Sequence, residues 1–289
     1  MGSKNVDGLL LLNKPKGITS TYALNIVKRI LKVKKIGHGG TLDPFAEGLL
    51  LILMGKVTRF MEFYGEEKKY TCTIKLGEKT DTDDVDGKVI ERKSIEGIDE
   101  RKIEDVLQRF KGEIIQKVPL YSAVKIDGER LYRIAREGKI VDLPERKVQI
   151  LELKIMNFEP PFLTIFAYVK KGVYIRSLAR DIGDELGCGA YLHSLVREYV
   201  SPFSLKDAYT IQDVKKGNYK IIPLDKSLPH FTIATLNGDA AYKFRNGGTI
   251  SGYYPDGNYI VRDGMGNILG IGKGDSFSLK PVRVLGKEN

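Results

Sequence analysis

Runs of leucine mark the start of the chain. Residues 8–14, GLLLLNK, form an apolar run that stops at a Pro-Gly turn and predict a buried strand. Thr19 or Ser20 can cap the helix that follows, whose apolar face is Ala23, Ile26, Val27, Ile30 and Leu31. A glycine-rich turn leads to a second strand, Leu49 to Met54. In KKYTCTIKLG, residues 68–77, the polarity alternates. Tyr70, Cys72, Ile74 and Leu76 share one face and Thr71, Thr73 and Lys75 the other, so Tyr70 is expected to point inward. Helical spacing returns at Ile103, Val106, Leu107 and Phe110. Two strand-like runs, 147–159 and 162–170, are joined by Pro160-Pro161. VYIRSLARDIGDELG then predicts a helix that opens near Arg176 and stops at Gly187.

Beyond residue 223 the pattern changes. PLDKSLP, 223–229, reads as a linker. Residues 231–289 are glycine-rich, with short strands between NG, DG and GN turns, and predict a small all-β module. The chain has 289 residues, and its 42% hydrophobic content suffices for a sizeable core. Its longest apolar runs are too short to span a bilayer, and MGSKNV lacks a signal-peptide core, so no membrane association is expected. Cys72 and Cys188 offer no disulfide framework, which fits a reduced, cytoplasmic protein. The histidines at 38, 193 and 230 have no close cysteine partner, so no structural zinc site is expected. Lys and Arg number 47 against 37 Asp and Glu, a net charge of +10 that favours a polyanionic partner, nucleic acid first.

The chemistry concentrates in KIGHGGTLDPFAEG, residues 35–48, where Asp43 stands between glycines and a proline. Alone, such an aspartate is more often a cap or turn closer. Its company changes that reading. KPKGITS at 14–20, HGGTLDP at 38–44, KKYTC at 68–72 and GVYIRSL at 172–178 occur in order, with TDTDDVDG, VPLYSAVKIDGERLYRIAREGK and DIGDELGCGA as further blocks. From about Gly8 to Arg197 the sequence resembles the bacterial TruB-type tRNA pseudouridine synthases, which modify uridine 55 in the T-loop. LNGDAAYKFRNGG and ILGIGKGDSFSLKPVRVL resemble a PUA-type RNA-binding module.

The resemblance implies an α+β fold: a pseudouridine-synthase-like mixed, largely antiparallel sheet with flanking helices, plus the small β module. Residues 1–228 would form the catalytic domain, with 121–147 as an RNA-clamping insertion, and 229–289 the PUA-like domain. Asp43 would be the catalytic aspartate and Arg176 the guanidinium that keeps it charged, arginine being the side chain that clamps a carboxylate with two hydrogen bonds. Tyr70 would stack on the target uracil, and Tyr174 and Leu195 would contact it. His38 would fill the space that the extruded base leaves, and Lys14 would support the active-site loop. The reaction exchanges an N1–C1′ bond for a C5–C1′ bond without oxidation or a leaving group, so neither cofactor nor metal is expected; the residues leave open whether Asp43 attacks C6 or C1′ or acts first as a base at the ribose.

GERLYRIAREGK can form a helix with Arg130 and Arg133 on one face, suited to an RNA backbone. The implied partner is the T-arm of tRNA, with no obligate protein partner. DTDDVDG does not match a calcium loop, because Val85 stands where a ligand oxygen belongs. Glu47 departs from the family pattern and is expected to face solvent; His193 and His230 read as structural or surface residues. Two other readings remain, a non-catalytic tRNA-binding or folding factor and the catalytic subunit of a guide-RNA complex. The set Asp43, Tyr70 and Arg176 argues against the first and the short tail against the second.

Overall fold

The two leucine runs pair with each other. Gly8–Lys14 and Glu47–Met54 lie antiparallel, with Gly8 opposite Met54 and Lys14 opposite Gly48, in a computed structural model that describes residues 6–285 other than 123, 127 and 138–140. They begin a mixed sheet that continues through Ala190–Val200, Glu67–Leu76, Phe162–Lys170, Glu145–Glu159 and Gly112–Lys117. Neighbours along this path are antiparallel except at one seam. There Ala190–Val200 runs parallel to Glu47–Met54, with Val196 beside Glu47 and Arg197 beside Gly48. Gly48 has φ +108°, and a Cβ on it would lie 2.8 Å from the Arg197 amide nitrogen, so the seam closes only over glycine.

Both leucine strands are buried on both faces, which is why their polarity does not alternate. Leu10, Leu12, Leu50 and Ile52 meet Ala23 and Val27 of the helix Ser20–Leu31. Thr19 caps that helix, its hydroxyl accepting from the Tyr22 amide at 3.0 Å. On the other face, Leu9, Leu11, Leu49, Leu51 and Leu53 meet Phe60 of the 3-10 helix Gly55–Phe63, and Ile260, Ile271 and Leu285 of the C-terminal module. Each such side chain contributes roughly 1.5–3 kcal/mol by leaving water.

The strand Glu67–Leu76 follows its alternation: Tyr70, Cys72, Ile74 and Leu76 are buried while Thr71, Thr73 and Lys75 are half-exposed. Under the inward face pack the helices Glu100–Arg109, capped by Asp99, and Ile175–Glu185. Gly187, at φ +83°, follows the second helix.

The C-terminal module has five strands in the order Thr232–Leu236, Gly257–Asp263, Ile268–Gly274, Ser278–Val284, Ile250–Ser251. To this β module the structure adds one helix, Gly238–Arg245, which buries Phe244. The stretch 223–229 is not a free linker. Leu224–Ser227 is helical, Leu224 and Leu228 enter the core shared with the leucine strands, and Ser227 hydrogen-bonds the Tyr64 hydroxyl. The four-residue spacing of Leu224 and Leu228 puts both on one buried face.

Candidate active site

The loop that carries Asp43 enters the sheet at the seam. Ser20, buried at the start of the first helix, donates to the Leu42 carbonyl at 2.9 Å and accepts from the Leu42 amide at 2.8 Å. Leu42, Phe45 and Ala46 sink into the core on either side of Asp43. The Gly17 amide donates to the Pro44 carbonyl at 2.8 Å. Lys14, fully buried, donates through Nζ to the carbonyls of Pro15 (2.9 Å) and Ile18 (2.7 Å), which fixes the KPKG turn against the loop. Burial holds the Lys14 pKa down to about 8, with Asp43 opposing that effect.

Asp43 and Arg176 come together across 133 residues of sequence. Arg176 Nε lies 3.0 Å from Asp43 Oδ2 and Nη2 lies 3.5 Å from Oδ1. Arg176 also donates to the Tyr121 carbonyl (2.9 Å) and the Thr82 carbonyl (3.3 Å), and its Nη1 lies in ion-pair range of Asp84 Oδ2 (3.5 Å). The guanidinium is thus surrounded by acceptors, in a side chain only 7% exposed. The Asp43 carboxylate keeps 32% of its surface open, which is what a group that must meet a substrate requires.

Asp84 belongs to the TDTDDVDG block. Burial raises its pKa, while bonds from the Thr82 hydroxyl (2.6 Å) and the Asp86 amide (3.1 Å) favour its charged form. The block resembling a calcium loop is therefore the back wall of the Arg176 site. Among the described residues no group of three or more His, Cys, Asp or Glu side chains is placed to hold a metal ion.

Asp43, Arg176, Tyr70, Tyr174 and Leu195 line one cavity of about 520 Å³, a volume that suits a small ligand or one nucleotide. Tyr70 lies on its inner wall, and burial raises its phenol pKa, so the ring offers a neutral stacking face at ordinary pH. Tyr174 precedes the helix Ile175–Glu185 and is pinned by Gln116, which accepts from its amide at 2.9 Å and donates to its carbonyl at 3.1 Å.

Other expected residues lie elsewhere. His38 ends the short strand Ile36–His38, outside the cavity lining, half-buried with Nδ1 unpartnered. Arg130 is not helical: it closes the strand Glu129–Arg130, and the helix runs Leu131–Arg136, so Arg130 and Arg133 do not belong to one helix. Arg133 is exposed on that helix. Of the clamp 121–147, residues 123, 127 and 138–140 lie outside the described residues. Glu47 is exposed, as expected. His193 rests against Phe162 and Tyr191, and His230 against Phe231.

Arg197 is the major residue that sequence reasoning missed. It is 1% exposed, and its guanidinium donates to the carbonyls of Leu49 (2.8 Å), Thr41 (3.3 Å) and Gly40 (3.1 Å). It therefore grips both ends of the Asp43 loop from the neighbouring strand and also lines the cavity beside Tyr70. Arg197→Met leaves the buried Leu49 carbonyl without this donor, at about 1–3 kcal/mol, and frees the more accessible carbonyls of Gly40 and Thr41 to water. The melting temperature is expected to fall by roughly 2–6 °C or more. Arg197→Lys should recover little of it, since one ammonium cannot reproduce the fork. Thermal denaturation checks both; an unshifted Arg197→Met transition contradicts the assignment.

A model of the TruB family pseudouridylate synthase N-terminal domain matches residues 28–175, and one of the tRNA pseudouridylate synthase B C-terminal domain matches 176–228. The chain is 36% identical over 284 residues to a tRNA pseudouridine synthase B of Caldanaerobacter subterraneus subsp. tengcongensis, covering 97% of this chain and 99% of that relative. It is 41% identical over 246 residues to one of Oleidesulfovibrio alaskensis, covering 83% and 79%. In three dimensions it is similar to a chain in the crystal structure of a Cbf5-Nop10-Gar1 complex, with TM-score 0.69, 25% identity, and 97% and 84% coverage.

Proposed function

The chain belongs to the TruB family of pseudouridylate synthases, and from that premise we propose that Asp43, clamped by Arg176, converts one uridine of a tRNA T-loop, uridine 55, into pseudouridine. The protein is a tRNA pseudouridine synthase, an isomerase. The observation that carries the residue assignment is the two-point contact of a one-third-exposed carboxylate with a buried guanidinium, in a cavity with a tyrosine face.

The everted uracil stacks on Tyr70, against Leu195, with Tyr174 at its edge. Arg176 faces the Asp43 carboxylate at two points, which leaves a carboxylate oxygen placed to attack or to stabilise a cation. The N1–C1′ bond breaks, the ring turns, and C5–C1′ forms; the C5 proton departs as N1 gains one, and the nucleotide keeps its atoms. On this reading His38, outside the cavity lining, would occupy the gap that the base leaves in the loop rather than handle protons. Arg130, Arg133 and the C-terminal module would hold the T-arm. No helix among the described residues is long and apolar enough to cross a membrane, and the reading places the enzyme with tRNA in the cytoplasm.

A bare T-arm hairpin, incubated with this protein alone, is expected to gain pseudouridine at one position. No conversion without added RNA guides or proteins would favour the guide-dependent reading that the likeness to the Cbf5-containing complex raises. Binding should weaken with salt by a log–log slope of roughly −0.7 per phosphate neutralised. A flat response counts against the basic grip.

A further inference from the structure

Two cations lining the cavity, Arg146 and Lys68, have no task in the chemistry above, and Arg146 is the exposed one. Lys68 is two residues before Tyr70 in the strand Glu67–Leu76, so both side chains leave the same face of the sheet, about 7 Å apart along the strand. It lines the Asp43 cavity and also a second cavity of about 430 Å³, which holds Arg59, Lys171 and Arg283, the last paired with Glu62. Gly40 is the other residue common to both. Lys68 thus stands where the reaction cavity borders a second, predominantly basic one.

Its surroundings do not satisfy it. Its head is half-buried, close enough to Arg197 and Lys171 to be repelled by both, and only Glu66 attracts it. Among the described residues no carboxylate lies within ion-pair distance of Lys68. Burial, then those two cations, hold its pKa down to about 8. An ammonium kept unpaired in such a place costs folding free energy unless an anion completes it. The anion at hand is the substrate's own backbone: a base stacked on Tyr70 would carry its phosphate within the reach of a side chain two residues away on the same strand face.

We propose that Lys68 is the seat for the phosphodiester of the everted nucleotide, a positioning residue that fixes the sugar while Tyr70 holds the base. The assignment rests on the pseudouridine-synthase reading, and the wild-type enzyme on an unaltered hairpin tests that reading separately. Lys68→Met preserves length and packing; Lys68→Arg preserves charge. Lys68→Met should weaken hairpin binding about 10-fold and reduce the salt slope by about 0.7. Its single-turnover rate at saturating RNA should fall by less than its affinity does. Lys68→Arg should restore most of the affinity. A hairpin carrying a neutral methylphosphonate 5′ of the target uridine should bind wild type as weakly as Lys68→Met binds the natural hairpin, with no further loss when the two changes are combined. Melting curves establish that the variants are folded. Additive losses, unchanged affinity, or a large rate loss at saturation with normal affinity would each overturn the proposal.

Discussion

Asp43→Asn is expected to abolish pseudouridine formation while tRNA capture survives. Asparagine has nearly the same shape, so the loop anchors at Ser20, Gly17 and Arg197 are untouched. Arg176 keeps Asp84 and the carbonyls of Thr82 and Tyr121, and remains satisfied without the Asp43 charge. What disappears is the anionic oxygen facing the base. Removing a nucleophile of this kind costs on the order of 10⁴–10⁶ in rate. Tritium release from RNA labelled at uridine C5 measures the loss, and filter binding measures capture. Turnover within about tenfold of wild type would refute the assignment of Asp43.

Arg176→Met is expected to damage both stability and catalysis. It strands the buried Asp84 carboxylate, the half-open Asp43, and the carbonyls of Thr82 and Tyr121. Breaking a buried pair costs about 3–5 kcal/mol, and the lower end applies because Asp43 is partly hydrated. The melting temperature should fall by roughly 6–12 °C. At a temperature where the variant is folded, the rate should still fall by about 10³ or more, the upper end of losing one preorganised electrostatic partner. Asp84→Asn in the same chain separates the two effects. It removes the stranded buried charge and should return part of the stability, while activity stays lost. Recovery of activity in the double variant would mean that Arg176 is structural only.

Regular periodicity was legible where nothing interrupts it. The strand Glu67–Leu76 alternates from end to end, so the inward place of Tyr70 followed from spacing alone. Ala190–Val200, at the centre of the sheet, was not legible. Register shifts between Leu192 and Ser194 and between Arg197 and Tyr199 break its alternation twice, and its inward residues include an arginine. Arg197 satisfies carbonyls at positions 40, 41 and 49, a relation without any sequence spacing to reveal it. The short strands Lys125–Ile126 and Glu129–Arg130, which pair before Leu131, were missed but did leave a sign in Gly128, at φ +86° between them. Helical spacing of the neighbouring residues outweighed it. The pairing of Asp43 with Arg176 came from family resemblance, since 133 residues separate them.

The tail's attachment sets a condition on any shortened form of this enzyme. Ile260, Ile271 and Leu285 roof the ribbon formed by Leu9, Leu11, Leu49, Leu51 and Leu53, the strands that shoulder the catalytic loop. Cutting the chain after residue 228 would unroof that ribbon and leave a greasy scar on the outside of the sheet. The appendage is thus part of what keeps the chemistry upright, and a trimmed enzyme would clump before it could be asked how well it reads RNA.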